Sequence, residues 1–413
     1  MNATGHTHTH ASGRARWLIV DSKTKKIVRQ SDWNNNIILN NGMDAVAARA
    51  WCTNFEYATV GTGAVPTYRT NGTVTATQSG SIVTLSTTDT TFSAGDVANM
   101  LKWTGGNSDE RRIVSTLNGT QVTVTPATPD ANSGAASTFH VFHTNQTGLT
   151  VEVKRSNTYL VSAPNCQSVL SGNLLRHRRT YDFTSEASPI TYREIGFSWA
   201  SSGANTHFSR IVLASPPALI AGQQLRVVYD LNLYISPAIP NAVSSNVSGW
   251  PVAPAVNQNG TQQFQRIGLS GVTALNGVTG DFDIARQVSE PSNSHTTSER
   301  FWISTSSAAV TAIGIAPVDR NLASAGLQTN AAAPDTYVSL NFYRDKFGIF
   351  TVGQANSTQI RSIGVGSNSN GAFSEYQNYG YVFVWDSAQT KDSEHTLTFR
   401  LRQTWSRNLV AFP

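Results

Sequence analysis

The stretch Leu225-Arg-Val-Val-Tyr-Asp-Leu-Asn-Leu-Tyr-Ile235 puts an apolar side chain at every odd position and, Val228 apart, polar or amphipathic ones between them. A period of two belongs to a strand with one face on a core and the other on water, whereas a helix would repeat every three or four residues. The pattern recurs in Trp17-Leu-Ile-Val20, Ser81-Ile-Val-Thr-Leu-Ser86, Gln121-Val-Thr-Val-Thr125, Leu149-Thr-Val-Glu-Val-Lys154 and Leu397-Thr-Phe-Arg-Leu-Arg402. The sequence therefore predicts an all-β fold of antiparallel, half-buried strands.

Composition agrees. Only 13% of the 413 residues are charged, while Ser, Thr, Asn and Gly are abundant, which suits strands and turns. Such a length predicts two or three domains. Helix signals are confined to Asn41-Gly-Met-Asp-Ala-Val-Ala-Ala-Arg-Ala-Trp51, rich in alanine, and to a single short turn in Ser93-Ala-Gly-Asp-Val-Ala-Asn-Met-Leu101.

The chain also repeats itself. Tyr192-Arg-Glu-Ile-Gly-Phe-Ser198 leads to the strand at 225, and Ile360-Arg-Ser-Ile-Gly-Val-Gly366 leads to the strand at 397, each with Arg two residues before Ile-Gly. Matching turns lie earlier, at Val60-Gly-Thr-Gly-Ala-Val-Pro-Thr-Tyr-Arg69 and Ile313-Gly-Ile-Ala-Pro-Val-Asp-Arg320. The expectation is two β-sandwiches in tandem: residues 17–72 plus 143–235, and residues 257–413. Short strands over 73–142 predict a small β-barrel inserted in a loop of the first sandwich. Residues 236–256, with Pro237, Pro240, Pro251 and Pro254, predict a stiff linker. Residues 1–16 are expected to form an N-terminal arm against a neighbouring subunit.

Charge and motifs narrow the function. Thirty basic and 25 acidic residues are spread along the chain, giving a net +5 without a long block, so nucleic acid is not expected as a partner. The densest basic run, Leu174-Leu-Arg-His-Arg-Arg-Thr-Tyr181, suits a solvated or subunit-facing strand end as well as a phosphate contact. No apolar run approaches the ~20 residues of a membrane span, and no export signal opens the chain. Cys52 and Cys166 have no ligand-like spacing, which fits two thiols or a single bridge. Gly61-Thr-Gly63 lacks the strand–helix context of a phosphate loop and reads as a turn. Neither a Gly-x-Ser-x-Gly elbow nor a His-Glu-x-x-His helix occurs, so no enzyme is expected.

Two constellations remain. His6, His8 and His10 alternate, so on an extended backbone they project from one face about 7 Å apart. Two per chain, brought together on a threefold axis, would give an octahedral nitrogen set for a first-row transition metal; otherwise they are imidazoles of a polar arm that bond locally or face water. Asp281 and Asp283, with Glu290, are the carboxylates a glycan hydrolase would use, or two charges on a solvated strand.

The series Gly148-Leu-Thr-Val-Glu-Val-Lys-Arg-Ser-Asn-Thr-Tyr159, Arg179-Thr-Tyr-Asp-Phe183, Tyr192-Arg-Glu-Ile-Gly-Phe-Ser-Trp199, Phe208-Ser-Arg-Ile-Val-Leu213 and Gly222-Gln-Gln-Leu-Arg-Val-Val-Tyr-Asp-Leu231 resembles structural tail proteins of tailed bacteriophages. Asn35-Asn-Ile-Ile-Leu-Asn-Asn-Gly-Met-Asp44 and Tyr57-Ala-Thr-Val-Gly-Thr-Gly63 extend the likeness over roughly residues 30–235, the insert excepted. The resemblance implies a non-enzymatic virion component, made in the host cytoplasm, that forms a ring, collar or fibre attachment with copies of itself and other tail proteins. Alternatives are a receptor-binding fibre or spike that stacks host glycan on Trp250, Tyr376, Tyr379 and Tyr381, a capsid decoration protein, and a glycan-degrading tail hydrolase.

Overall fold

The computed structural model describes residues 2–49, 51–86, 92–103, 110–127, 133–161, 164–171, 174–236, 299–304, 328–332, 336–356, 359–367 and 378–407. The chain opens on one long strand, β1 (Asn2–Asp21), followed by β2 (Ile27–Gln30), β3 (Asn34–Asn35), β4 (Ile37–Ile38), helix α1 (Asn40–Ala45) and β5 (Tyr57–Gly61). Next come β6 (Tyr68–Ser79), β7 (Ile82–Leu85), β8 (Met100–Trp103), β9 (Arg111–Asn118), β10 (Gln121–Thr125) and β11 (Ala136–Phe142). The first half ends with β12 (Glu152–Ser156), β13 (Gln167–Ser171), β14 (Leu174–Asp182), β15 (Ile190–Thr191), β16 (Glu194–Ser198), β17 (His207–Val212), β18 (Ala218–Leu219) and β19 (Gln223–Ser236). The second half holds β20 (Glu299–Ser304), β21 (Gln328–Ala332), β22 (Tyr343–Phe350), β23 (Gln359–Ser367), β24 (Asn378–Thr390) and β25 (Leu397–Arg407). The fold is all-β, with one short α-helix among the described residues.

The alternation of β19 does what its pattern requires. Leu225, Val227, Tyr229, Leu231 and Leu233 are buried and face a second sheet, ordered β12-β5-β16-β17-β4, that contributes Val60, Ile195, Phe197, Phe208 and Ile211 to the same core. Phe197 stacks on Tyr229 with ring centres 3.8 Å apart. Each such side chain contributes roughly 1.5–3 kcal/mol on burial, and this shared core makes the two sheets a sandwich.

Strands β6 to β11 close into a separate barrel in the order β10-β7-β6-β11-β8-β9, around Ala76, Val83, Leu101, Ile113, Val122 and Val141. The barrel starts at Tyr68 rather than residue 73, because Tyr68 to Asn71 already pair with Phe142 to Phe139 across β11. Met100 and Phe142 pack on Ile37 and Leu39, seating the barrel on the sandwich.

The pairing graph of the first half recurs in the second. β5 pairs β12 and β16, β16 pairs β17, and β14 pairs β19; likewise β20 pairs β21 and β23, β23 pairs β24, and β22 pairs β25. Even the link between layers recurs, as the Tyr159–Tyr181 bridge in one half and the β21–β22 pairing in the other. The turn at 313–320 and residues 237–298, including nearly all of the expected linker, lie outside the described residues.

Two expectations are corrected. Residues 2–16, expected as an arm on a neighbouring subunit, form a strand within their own chain. They belong to β1, antiparallel to β19 over His8–Asp21 and parallel to β25 over Asn2–Ala11, so one strand splices both halves into a continuous twelve-stranded sheet. An alternating polar strand gains a full ladder of backbone hydrogen bonds this way within its own chain. The helix also stops at Ala45, and Trp51–Phe55 forms a separate 3-10 turn. The Met43 carbonyl, which would accept from Ala47 in a continuing helix, accepts the Trp405 indole at 2.8 Å, while the Ala47 amide turns to Asp44 at 3.1 Å.

Candidate assembly surface

The odd positions of β1 and β19 enter the core, so the even ones line the opposite face of the shared sheet. Register sets them in rows: Arg178, Asp230 and Arg14 across β14, β19 and β1; Arg176, Asn232 and Ser12 beside them; then Asp182, Arg226 and Leu18. On the other side of β1, Arg400 and Arg402 of β25 lie beside Asp345 of β22. Seven arginines thus share this face with three aspartates over five adjacent strands.

Each aspartate is held by guanidinium. The Asp230 side chain is fully buried and takes two bonds from Arg178, at 2.6 and 2.7 Å, and two from Arg14, at 3.1 and 3.3 Å. The hydrogen bond to Asp230 raises the Arg178 guanidinium above its ordinary value. Asp345 is embraced by Arg400 and Arg402; burial pushes its carboxyl upward, but the hydrogen bonds from Arg402 and Arg400 outweigh that and hold it below the usual range. Arg226 grips Asp182 at 2.6 and 2.9 Å. Arg14, Arg16 and Arg178 also gather over the Trp33 ring, 4.4–5.5 Å from its centre. The Nε atoms of Arg16 and Arg176 are buried and have no partner among the described residues.

The histidine series runs along this face. His8 Nε2 lies 2.9 Å from Ser406 Oγ and His10 Nδ1 2.7 Å from the same oxygen, with the two rings stacked at 4.1 Å. Partial burial lowers the His10 imidazole below its ordinary value. His6 is paired along the backbone with Arg402. The even spacing of His8 and His10 thus brings them onto one face as expected, but within one chain they meet a serine. Among the described residues no group of three His, Cys, Asp or Glu side chains could hold a metal ion.

Other polar groups singled out by the sequence are built into the scaffold. Gly61 and Gly63 leave room for Glu194, where a Cβ would approach its carboxylate to 2.9 and 2.3 Å. That carboxylate is fully buried, bonded to Arg210 at 2.7 and 2.9 Å and to the amides of Thr150 and Val151. Gly196 of the Arg-x-Ile-Gly motif lies under Thr59 and His207, where a Cβ would come within 2.6 Å. In the basic run, Arg176 and Arg178 face outward, His177 is buried, and Arg179 donates to the Phe55 carbonyl at 3.0 Å. Cys166 is a buried free thiol. Among the described residues no helix is long and apolar enough to cross a membrane. Asp281, Asp283, Glu290, Trp250 and Tyr376 lie outside the described residues, and Tyr379 and Tyr381 belong to β24.

Sequence reasoning missed the arginine face because its members are scattered from residue 14 to residue 402. The available signal was a pair of arginines at alternate positions within three separate strands, with Arg226 alone in a fourth. The chain's class is an all-β, multi-sheet scaffold with a closed barrel between its strands. No family model, curated protein or solved structure matches it.

Proposed function

We propose that the chain is a non-enzymatic structural protein of a bacteriophage tail, incorporated in the virion as a ring, collar or fibre-attachment component. The observation that carries the reading is the arginine face. It offers a broad sheet surface with a surplus of positive charge, on which Arg16 and Arg176 each bury an Nε–H that has no partner among the described residues. Such a surface suits docking of an acidic face of another tail protein, whose carboxylates would pair with the outward guanidinium nitrogens. The splice through β1 supports a load-bearing role, since separating the halves requires breaking a strand ladder along with side-chain contacts.

Immunogold electron microscopy of particles from a culture producing the encoding phage tests the reading, using antibodies raised against the purified chain. Gold confined to the tail is the expected result. Particles free of label, with the chain present only in the soluble lysate, would overturn it.

A further inference from the structure

A cleft of about 890 Å³ opens where the first sandwich meets the barrel, away from the histidine row and formed by three segments. Residues 29–35 make one wall, Pro66 to Tyr68 and Thr70 the other, and Val212 to Ser215 the floor together with Trp17. Its size falls within the ~300–1,000 Å³ of small-molecule sites, and a junction between two modules is a common place for one. Both walls are anchored. Trp17 donates its indole N–H to the Ser215 carbonyl at 3.1 Å, its backbone amide bonds Ser31 Oγ at 3.0 Å, and Tyr68 packs edge-on to His140 at the barrel root. The cleft is therefore a fixed shape.

Its chemistry is specific. Aromatic surface comes from Trp33 and Tyr68, both half-buried, with Trp17 beneath. Around them lie Arg29, Gln30, Asp32 and Asn35, whose side chains make no hydrogen bond among the described residues; Arg29 only rests over Trp17, 5.3 Å from the ring centre. One guanidinium and one carboxylate cancel, leaving a neutral site with donors and acceptors of every kind. An aliphatic ligand would leave four polar heads without partners, and a phosphate would meet the Asp32 carboxylate. A sugar presents both halves of the match: C–H faces for the rings and hydroxyls for the polar heads. An N-acetyl group adds an amide for Gln30 and Asn35 and a methyl for the aromatic wall.

We infer that the cleft between the first sandwich and the barrel binds a short neutral oligosaccharide containing an N-acetylated hexosamine. The site shares Trp33 with the assembly face, whose Arg14, Arg16 and Arg178 lie over that ring, and sugar binding there goes beyond a structural role in the tail.

The test is calorimetric titration of the full chain with the N-acetylglucosamine trimer, with maltotriose as the comparison sugar. Saturable binding in the millimolar range or tighter is expected for the trimer, and binding at least about tenfold weaker for maltotriose. Arg29→Ala and Asn35→Ala remove exposed side chains that the fold does not use, so each should keep the wild-type melting curve and weaken trimer binding about tenfold. Absence of saturable binding, equal affinity for the two sugars, or undiminished affinity in both variants would each overturn the inference. Label on the virion tail has no bearing on these outcomes, so the two readings fail separately.

Discussion

At the scale of single residues, buried charge and missing Cβ atoms hold the first sandwich in place. Glu194 and Arg210 are both fully buried, and each satisfies the other while Glu194 also accepts two backbone amides. Arg210→Ala leaves a carboxylate with no counter-charge in a dry core, so a loss of about 3–5 kcal/mol is expected in urea unfolding. Gly196→Ala forces a methyl against Thr59 and His207 and should cost about 1–3 kcal/mol by the same measurement. His207 sets a pH dependence. Its Nε2 lies 3.0 Å from Thr59 Oγ1 and its Nδ1 3.2 Å from the Ala204 carbonyl, and burial lowers it below the ordinary 6.5. The unfolded chain then binds the proton first. Stability contributed by the neutral imidazole is complete above pH 6.5 and declines as the pH falls through the lower folded value. The urea midpoint should therefore drop between pH 7.5 and about 5, before most carboxylates titrate, and His207→Gln should flatten that slope. An unchanged slope in the variant would assign the dependence to other groups.

At the scale of elements, β1 is decisive, and here the sequence was legible only in part. Trp17 to Val20 announced a strand through their apolar run, and β19, β7, β10 and β25 through clean alternation. The stretch before Trp17 shows the same period of two, but with His, Ser and Arg on the outer face and Thr9, Ala11, Gly13 and Ala15 on the inner one. Small inner residues gave little hydrophobic contrast. Gly13 is small because a Cβ there would strike Asn36 and the Tyr229 hydroxyl at 2.3–2.5 Å, a tertiary fact invisible in the sequence. The parallel pairing with β25, almost four hundred residues away, carries no local signal either. The spacing put His8 and His10 on one face, while their meeting with Ser406 depended on that pairing. The arginine face was illegible for the same reason: its rows assemble only after four strands align. In the first Arg-x-Ile-Gly motif the glycine of β16 must admit a close neighbour. Deleting residues 2–11 removes the β1–β25 ladder and leaves the β19 pairing of 12–21 intact. The halves then remain joined chiefly by contacts of the α1 region, where Asp44 accepts Tyr337 at 2.6 Å and Arg407 reaches Ile38 and Asn40 at 2.6 and 2.7 Å. Limited proteolysis should cleave the second half of this truncated chain much faster than the first. Equal protection of both halves would mean that the splice contributes little.

At the scale of the whole molecule, the sheet is a platform whose charge has been arranged asymmetrically. The ion pairs around Asp230, Asp182 and Asp345 consume each aspartate, so the remaining positive charge faces outward as an array with defined spacing. Arg16 and Arg176 are the members whose Nε groups have no partner among the described residues, which makes their removal inexpensive for folding, while loss of their outward guanidinium charge is costly for a docked acidic face. The double variant Arg16→Ser, Arg176→Ser should unfold within about 1 kcal/mol of the wild type. In particles assembled with the variant chain, incorporation into tails should fall several-fold, and the deficit should widen as salt is raised from low to physiological strength, because the surviving charge pairs at the rim are screened over a Debye length of about 8 Å. Quantitative mass spectrometry of purified particles reads the outcome directly. Wild-type incorporation at every salt concentration, with stability unchanged, would move the docking surface off the arginine face and leave the array as a means of keeping a broad exposed sheet from pairing with itself.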